Sequence, residues 1–395
     1  MTSNRSATIA AFQRADELYR AASADGSTFW FLGNALHAGL RTLIASGSRD
    51  RTGLLQYGLE KFKAVVAKGT DGIWRDDFGW WGGAFCTAIR NRSALGYSDP
   101  LYDSLFAELL DQAIWCWTKL DGNWRDIAYS ATIDHAVADA DVVGGAFNVA
   151  PDESDAPVLA GRNSVTNAGF WLLSLELELL TRQQQYASRT WAYATWFQAW
   201  ESRREAGEPA MRDARGLVLE RPTGNASFSA WTWSGDQGAI ALDSLRQLEK
   251  EMGPPYTNSL AAAIAIAVRN DLSVDGILTE DLAFRSEFDQ FTVDYSTGKG
   301  ICIRYLADVC AIIGPDWTQR ELGTFIRANA ASVWARRDQA TGDLPFAWGA
   351  VQPSEPITGH EDIQALVFHM SALDVLSAAT RFWPDAPIDG SATGE

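Results

Sequence analysis

Two aspartates stand side by side in Trp74-Arg75-Asp76-Asp77-Phe78-Gly79-Trp80-Trp81, a run in which indoles flank carboxylates. This combination equips a sugar cleft. Indole faces stack on the apolar faces of a pyranose, and two acids can supply nucleophilic attack and proton transfer at a glycosidic bond. Asp77 has a second reading, as the cap of a helix that carries Trp80 and Trp81. A cap accounts for one aspartate and leaves the other, and the indoles beside it, unexplained.

Four further stretches bring polar groups next to glycine or aromatic residues. Asp139 to Asn148 contains Asp141, Gly144, Gly145 and Phe147, where glycine permits close backbone approach to a ligand but also serves ordinary turns. Arg162 to Ala168 opens a Leu-rich helix, with Asn163 or Ser164 as cap and Thr166 and Asn167 at its mouth, placed for ligand contact or buried hydrogen bonding. Trp233, Asp236 and Gln237 mark another helix start, where Asp236 is either a cap or a substrate contact. Lys299-Gly300 begins a further helix that carries Arg304 and is preceded by Asp294 and Tyr295. The histidines (His37, His135, His360, His369) lack metal-binding spacing, and no Gly-x-Ser-x-Gly elbow, phosphate loop or dinucleotide fingerprint occurs, so no cofactor or metal is expected.

The elements that must position these groups read as helices. Apolar periodicity predicts twelve, at 5–23, 28–46, 52–68, 78–94, 99–119, 163–182, 184–204, 235–250, 256–272, 299–314, 317–337 and 361–381. Strand-type alternation is nearly absent, and its best candidate, Gly216-Leu217-Val218-Leu219-Glu220, is short. The fifth helix is apolar on one face, whereas the sixth, with Phe170, Trp171, Leu172, Leu173, Leu175 and Leu177, is apolar nearly all round and must be buried. Six hairpins of a buried and a surface kind imply an all-α (α/α)6 toroid. A helical solenoid is the competing architecture, but it would carry a fixed sequence period, and none is visible. Residues 1–384 read as one domain, and the tail from Asp385 as flexible. Long connections at 120–162, 205–234 and 338–360 would crowd one end of the toroid and shape a cleft.

Composition narrows the partners. A net charge of −17 repels phosphate backbones, and no uninterrupted apolar run of about 18 residues indicates a membrane span, so neither nucleic acid nor membrane is expected. Seventeen tryptophans lean toward carbohydrate. Cys86, Cys116, Cys302 and Cys310 sit in apolar helical contexts and are expected as buried thiols. Met1 to Ser6 leads straight into an amphipathic pattern without an apolar signal core, which sets cytoplasmic residence as the expectation.

The order of motifs resembles glycoside hydrolase family 76, the endo-α-1,6-mannanases and related transglycosylases. It runs from Asp76-Asp77 with Trp80-Trp81 through Gly144-Gly145, Ser164 to Asn167 and Gln237-Gly238 to Lys299-Gly300 with Arg304-Tyr305-Leu306. The resemblance implies an (α/α)6 fold and a retaining mechanism with Asp76 as nucleophile and Asp77 as general acid/base. It also implies substrate contacts from Trp74, Trp80, Trp81, Asp141, Gly144, Gly145, Phe147, Asn163, Thr166, Asn167, Trp233, Asp236, Gln237, Lys299 and Arg304. Two departures bear on substrate. Ala146-Phe147-Asn148 follows the paired glycines where the family often has an aromatic residue and a tryptophan. Asp236 stands where the family has asparagine in Tyr-Asn-Gln-Gly, an acceptor-only group when ionised. Together they point to a short neutral α-linked oligosaccharide in preference to polymeric mannan. Two other functions stay open: a sugar epimerase or isomerase, with His360 beside Glu361 as its base, and a non-catalytic carbohydrate-binding protein.

Overall fold

The computed structural model describes residues 2–130, 134, 139–149, 161–222, 231–251, 259–280, 292–315, 322–350 and 363–389, without the side chains of 292–296. Twelve long helices occur among them. They are α1 (Asn4–Ala21), α2 (Phe29–Ser46), α3 (Leu54–Val66), α4 (Arg75–Arg90), α5 (Asp103–Asp121) and α6 (Ser164–Thr181), then α7 (Gln184–Glu205), α8 (Ser234–Glu251), α9 (Leu260–Asp271), α10 (Thr292–Ile313), α11 (Gly323–Ala335) and α12 (Gln364–Phe382).

Their packing settles the architecture. Helix α2 packs on α4, α4 on α6, α6 on α8, α8 on α10, α10 on α12, and α12 returns to α2. The even-numbered helices therefore close into an inner ring. The odd-numbered helices lie outside it, with α1 on α12 and α2, α5 on α4 and α6, and α7 and α9 on α6 and α8. This is the (α/α)6 toroid. The inner helices are buried on most sides, because each meets two inner neighbours and an outer helix, and α6 is apolar nearly all round to match.

Close approach within the ring depends on small residues. A Cβ on Gly238 would fall 2.7 Å from the Cys302 backbone, and one on Gly300 would fall 2.5 Å from that of Ser371. The glycines of the Gln237-Gly238 and Lys299-Gly300 motifs thus let α8, α10 and α12 touch backbone to backbone. All four cysteines are buried free thiols.

Three expectations need correction. Helix α10 begins at Thr292, so Lys299 and Gly300 lie two turns inside it instead of opening it. Gly216 to Glu220 forms no regular strand; its single bridge, Arg212 to Val218, leaves an extended strap that crosses the inner-helix ends. The tail from Asp385 is held through residue 389: Asn4 N–H donates to the Ala386 carbonyl, Ile388 N–H donates to that of Thr2, and Ile388 is buried. Residues 390–395 lie outside the described part. These bonds join the chain's two ends where α1 packs on α12.

Tryptophan also has a different main use. Trp81, Trp196, Trp200 and Trp348 are completely enclosed, and Trp117, Trp124 and Trp171 belong to the same core. Filling the space between two rings of helices takes large rigid side chains, so the tryptophan count reflects the toroid more than a ligand.

Candidate active site

The N-terminal ends of the inner helices gather at one end of the toroid. Helix α4 starts after Trp74, which is extended and gives no side-chain cap. The Asn148 carbonyl accepts from Arg75 N–H at 2.9 Å. Asp76 and Asp77 therefore sit inside the first turn, and neither is the cap. The positive end of the helix favours carboxylates there. Asp77 is buried and Asp76 half-buried.

Helix α6 supplies the nearest partner. Asn163 caps it, its Oδ1 accepting from Thr166 N–H, and Thr166 Oγ1 donates to Asp76 Oδ1 at 3.3 Å. Burial pushes the Asp76 carboxyl up to about 6, and the helix N–H and Thr166 hydroxyl only partly offset it.

The strap of residues 217–221 brings in an acid that the sequence did not flag. Ser164 N–H and Oγ donate to the Glu220 and Leu219 carbonyls at 2.8 and 2.5 Å, and Gln237 clasps both the N–H and the C=O of Val218 at 2.7 Å. Thus fastened across α6 and α8, Glu220 is buried and accepts from Asn163 Nδ2 at 2.8 Å. Burial raises its carboxyl above the usual carboxylate range, against the pull of Asn163 and Arg221. Asp236, in the first turn of α8, is wholly buried and raised well above the usual carboxylate range, first by burial and then by Glu220. A fifth acid, Glu280, accepts from Ser234 N–H at 2.9 Å and from its hydroxyl. Its backbone has φ 78°, a left-handed conformation that a non-glycine residue holds at a cost.

Other expected contact residues divide by what they touch. Trp80 and Trp233 meet edge to face at 6.3 Å between the α4 and α8 starts, which keeps both near the acids. Trp74 is half-buried at the cap position of α4. Trp81 instead turns into the core, where its indole N–H donates to the Phe29 carbonyl at 2.9 Å. Gly144 and Gly145 adopt φ 105° and 103°, and a Cβ on either would strike Trp124 or Arg162, so this glycine pair is required by the loop's own packing. Phe147 is buried under the Arg162 guanidinium. Asn167 spends its amide on both backbone groups of Ala146 and on the Asn163 carbonyl. Gln237 is the clasp of the strap. Asp141 is exposed on a short strand, Ala140–Val143, and is not joined to the acids.

Lys299 Nζ donates to the Phe346 carbonyl at 2.8 Å and lies over the rings of Phe346 and Trp348. Arg304 belongs to the opposite half of the ring, locked on Asp374 at 2.7 and 2.9 Å and donating to Asn34. His37 and His369 are buried structural groups, bonded to Thr87 and to the Ala11 carbonyl. His135, His360 and Glu361 lie outside the described residues, as do Asp294 and Tyr295 for their side chains. No group of acids, histidines or cysteines among the described residues is arranged to hold a metal ion, and no described helix is long and apolar enough to cross a membrane.

No protein-family model and no curated protein matches the sequence. Solved structures do. An α-1,6-mannanase of family 76 from Salegentibacter sp., an inactive variant with two successive aspartates replaced by asparagine and α-1,6-mannotriose bound, is 15% identical. It aligns over 95% of this chain and 99% of its own with a TM-score of 0.69. Dfg5 of Chaetomium thermophilum, in complex with glucosamine, aligns over 90% of this chain and 80% of its own, at 17% identity and a TM-score of 0.63. A family 76 α-mannanase of Bacteroides thetaiotaomicron aligns over 90% and 86%, at 14% identity and a TM-score of 0.53. The chain has the fold of the family 76 glycoside hydrolases.

Proposed function

We propose that the protein is a retaining glycosidase or transglycosidase acting on an α-linked oligosaccharide or glycoside, with mannose as the first candidate sugar. The observation that carries this reading is the placement of Asp76 and Asp77 together in the first turn of an inner helix. Asp76 is raised only to about 6, so it is ionised at neutral pH as a nucleophile must be, and the indoles of Trp80 and Trp233 pack between the α4 and α8 starts. The solved mannanase variants with two successive aspartates replaced, which bind α-1,6-mannotriose and mannotetraose, support it.

Asp76, ionised, attacks the anomeric carbon and forms a C1–O ester bond as the glycosidic C1–O bond breaks, while Asp77 gives its proton to the leaving oxygen. Water, or an acceptor hydroxyl, then loses a proton to Asp77 and displaces Asp76, so two inversions give net retention. Trp80 and Trp233 are buried at the helix starts, where their packed rings would form an apolar wall of the sugar site. Of the two departures from the mannanase motif pattern, Asp236 lies beside the catalytic acids, whereas Gly144, Gly145 and Phe147 are absorbed in packing. Substrate preference therefore rests mainly on the neighbourhood of Asp236, and a short neutral oligosaccharide is the proposed substrate.

Incubation with α-1,6-mannotriose, short α-mannosides and polymeric mannan, with the first product's anomer followed by NMR, tests this directly. An α-anomer that forms first and then mutarotates is expected. A β-anomer formed first would overturn retention, and failure to turn over any α-linked sugar would overturn the glycosidase assignment.

A further inference from the structure

Asp236 has an unusual setting for a carboxyl group. It is wholly buried, and among the described residues neither of its oxygens meets a hydrogen-bond donor. The charged and titratable groups that act on it from the surrounding elements are all acids: Glu220 on the strap, Asp76 on α4 and Glu280 beyond α9. The Tyr193 phenol of α7 is also nearby, itself pushed up by burial. Among the described residues no cation acts on it. Lys299 of α10 holds the Phe346 carbonyl, Arg304 closes on Asp374, and Arg221 acts on Glu220. The N-terminus of α8 attracts an anion with about half a unit charge, against full charges on its acidic neighbours. An ionised Asp236 is therefore unsupported.

Glu220 is the better-supported partner, since Asn163 Nδ2 and Arg221 both favour its charge. Two facing carboxyls with no donor between them are satisfied by one proton. From this pair a chain of bonds leads to the reacting group: Glu220 to Asn163 at 2.8 Å, Asn163 to Thr166 N–H at 3.4 Å, and Thr166 Oγ1 to Asp76 at 3.3 Å.

We propose that Asp236 and Glu220 share a single proton, held on Asp236, and that the pair with its one negative charge is a positioning element that sets the orientation and proton affinity of Asp76. Asp236 then works as a neutral O–H donor, the reverse of the acceptor-only role its sequence implies. The role in catalysis rests on the glycosidase reading, whereas the shared proton does not.

Two arms separate them. The infrared carboxylic-acid C=O band of the intact protein needs no substrate. At neutral pH it is expected in the wild type and diminished in Asp236→Asn, and its absence from the wild type would overturn the pairing. In the kinetic arm, Asp236→Leu, which has no donor, is expected to lower kcat at least about tenfold, and Asp236→Asn, which keeps a neutral N–H donor, is expected to recover most of that loss and to move the alkaline limb of the pH profile upward. The double variant Glu220→Gln/Asp236→Asn removes the pair's charge and is expected to move the acid limb down by half a unit or more. A loss of a hundredfold or more in Asp236→Asn, or an acid limb unmoved in the double variant, would overturn the positioning role.

Discussion

The two ends of the toroid treat buried acids in opposite ways. At the end where the inner helices start, Asp76, Glu220 and Asp236 crowd together, and all are raised. At the other end a cavity of about 760 Å³ is lined by Glu176, Asp308 and Asp374, each paired with arginine. Arg41 holds both oxygens of Asp308 at 2.7 and 2.8 Å, and Arg381 joins it. Glu176 lies between Arg90 and Arg246. Burial pushes Asp308 up as it does Asp76, but its arginines outweigh it and leave it below the usual range. Helix direction accounts for part of the contrast, because the C-terminal ends carry partial negative charge and recruit cations. The rest is chemistry. Under the proposed function the end that carries Asp76 and Asp77 moves protons and keeps its carboxyls under tension, whereas Glu176 and Asp308 at the other end tie helices together through compensated charge.

The largest way to break this comparison is to neutralise the acids. Asp76→Asn and Asp77→Asn should each lower kcat/KM by at least about 10³, or about 4 kcal/mol of transition-state stabilisation, with the helical circular dichroism unchanged. Near-wild-type turnover by either would show that the carboxyl tension at this end serves something other than glycosidic cleavage.

The same substitution should have opposite effects on stability at the two ends. The folded value of Asp76 lies above its unfolded one, so the stability linked to it is present below the unfolded value and is lost as pH rises through about 6. Asp76→Asn should therefore raise the melting temperature at pH 7. Asp308 is depressed, so its contribution is present above the unfolded value and is lost as pH falls through the folded one. Asp308→Asn should cost about 2–3 kcal/mol in urea unfolding at pH 7, at the lower end for a buried pair because Arg381 is 36% exposed. Melting temperatures that moved the same way would contradict the assignment of the two ends.

Much of this was legible in the sequence. Twelve helices and their two kinds follow from apolar periodicity, since inner and outer positions impose different patterns on the chain. Asp76 and Asp77 were legible because adjacency and indoles are local signals. Glu220 was not, because its role depends on a strap folding over two helix starts that are 57 and 14–17 residues away in sequence. Gly145 and Trp81 looked like ligand contacts because a glycine or an indole serves packing and binding alike, and only the contacts at 3.0 Å from Arg162 and at the Phe29 carbonyl separate the two.

A smaller test concerns pH. If Asp76 must be ionised to attack, log kcat/KM should fall with a slope of one below an acid limb near 6. A limb near 4 would mean that substrate-free burial overstates the tension at this end.

The finest adjustment comes from the one hydroxyl seen to support the Asp76 charge. Thr166 is buried, and its Oγ1 donates to Asp76 alone. Thr166→Val keeps the shape and removes the donor. A net hydrogen bond is worth about 0.5–1.5 kcal/mol, and one pKa unit is about 1.4 kcal/mol. At 3.3 Å this bond belongs at the weak end, so the acid limb should rise by about 0.4 unit, with kcat on the plateau lowered less than about fivefold. The direction matters more than the size. Losing a donor to a carboxylate must raise its proton affinity, whereas a loosened helix start would lower stability and leave the limb in place. An unmoved limb in a destabilised Thr166→Val protein would make Thr166 a packing residue and leave Asp76 governed by burial and its helix N–H.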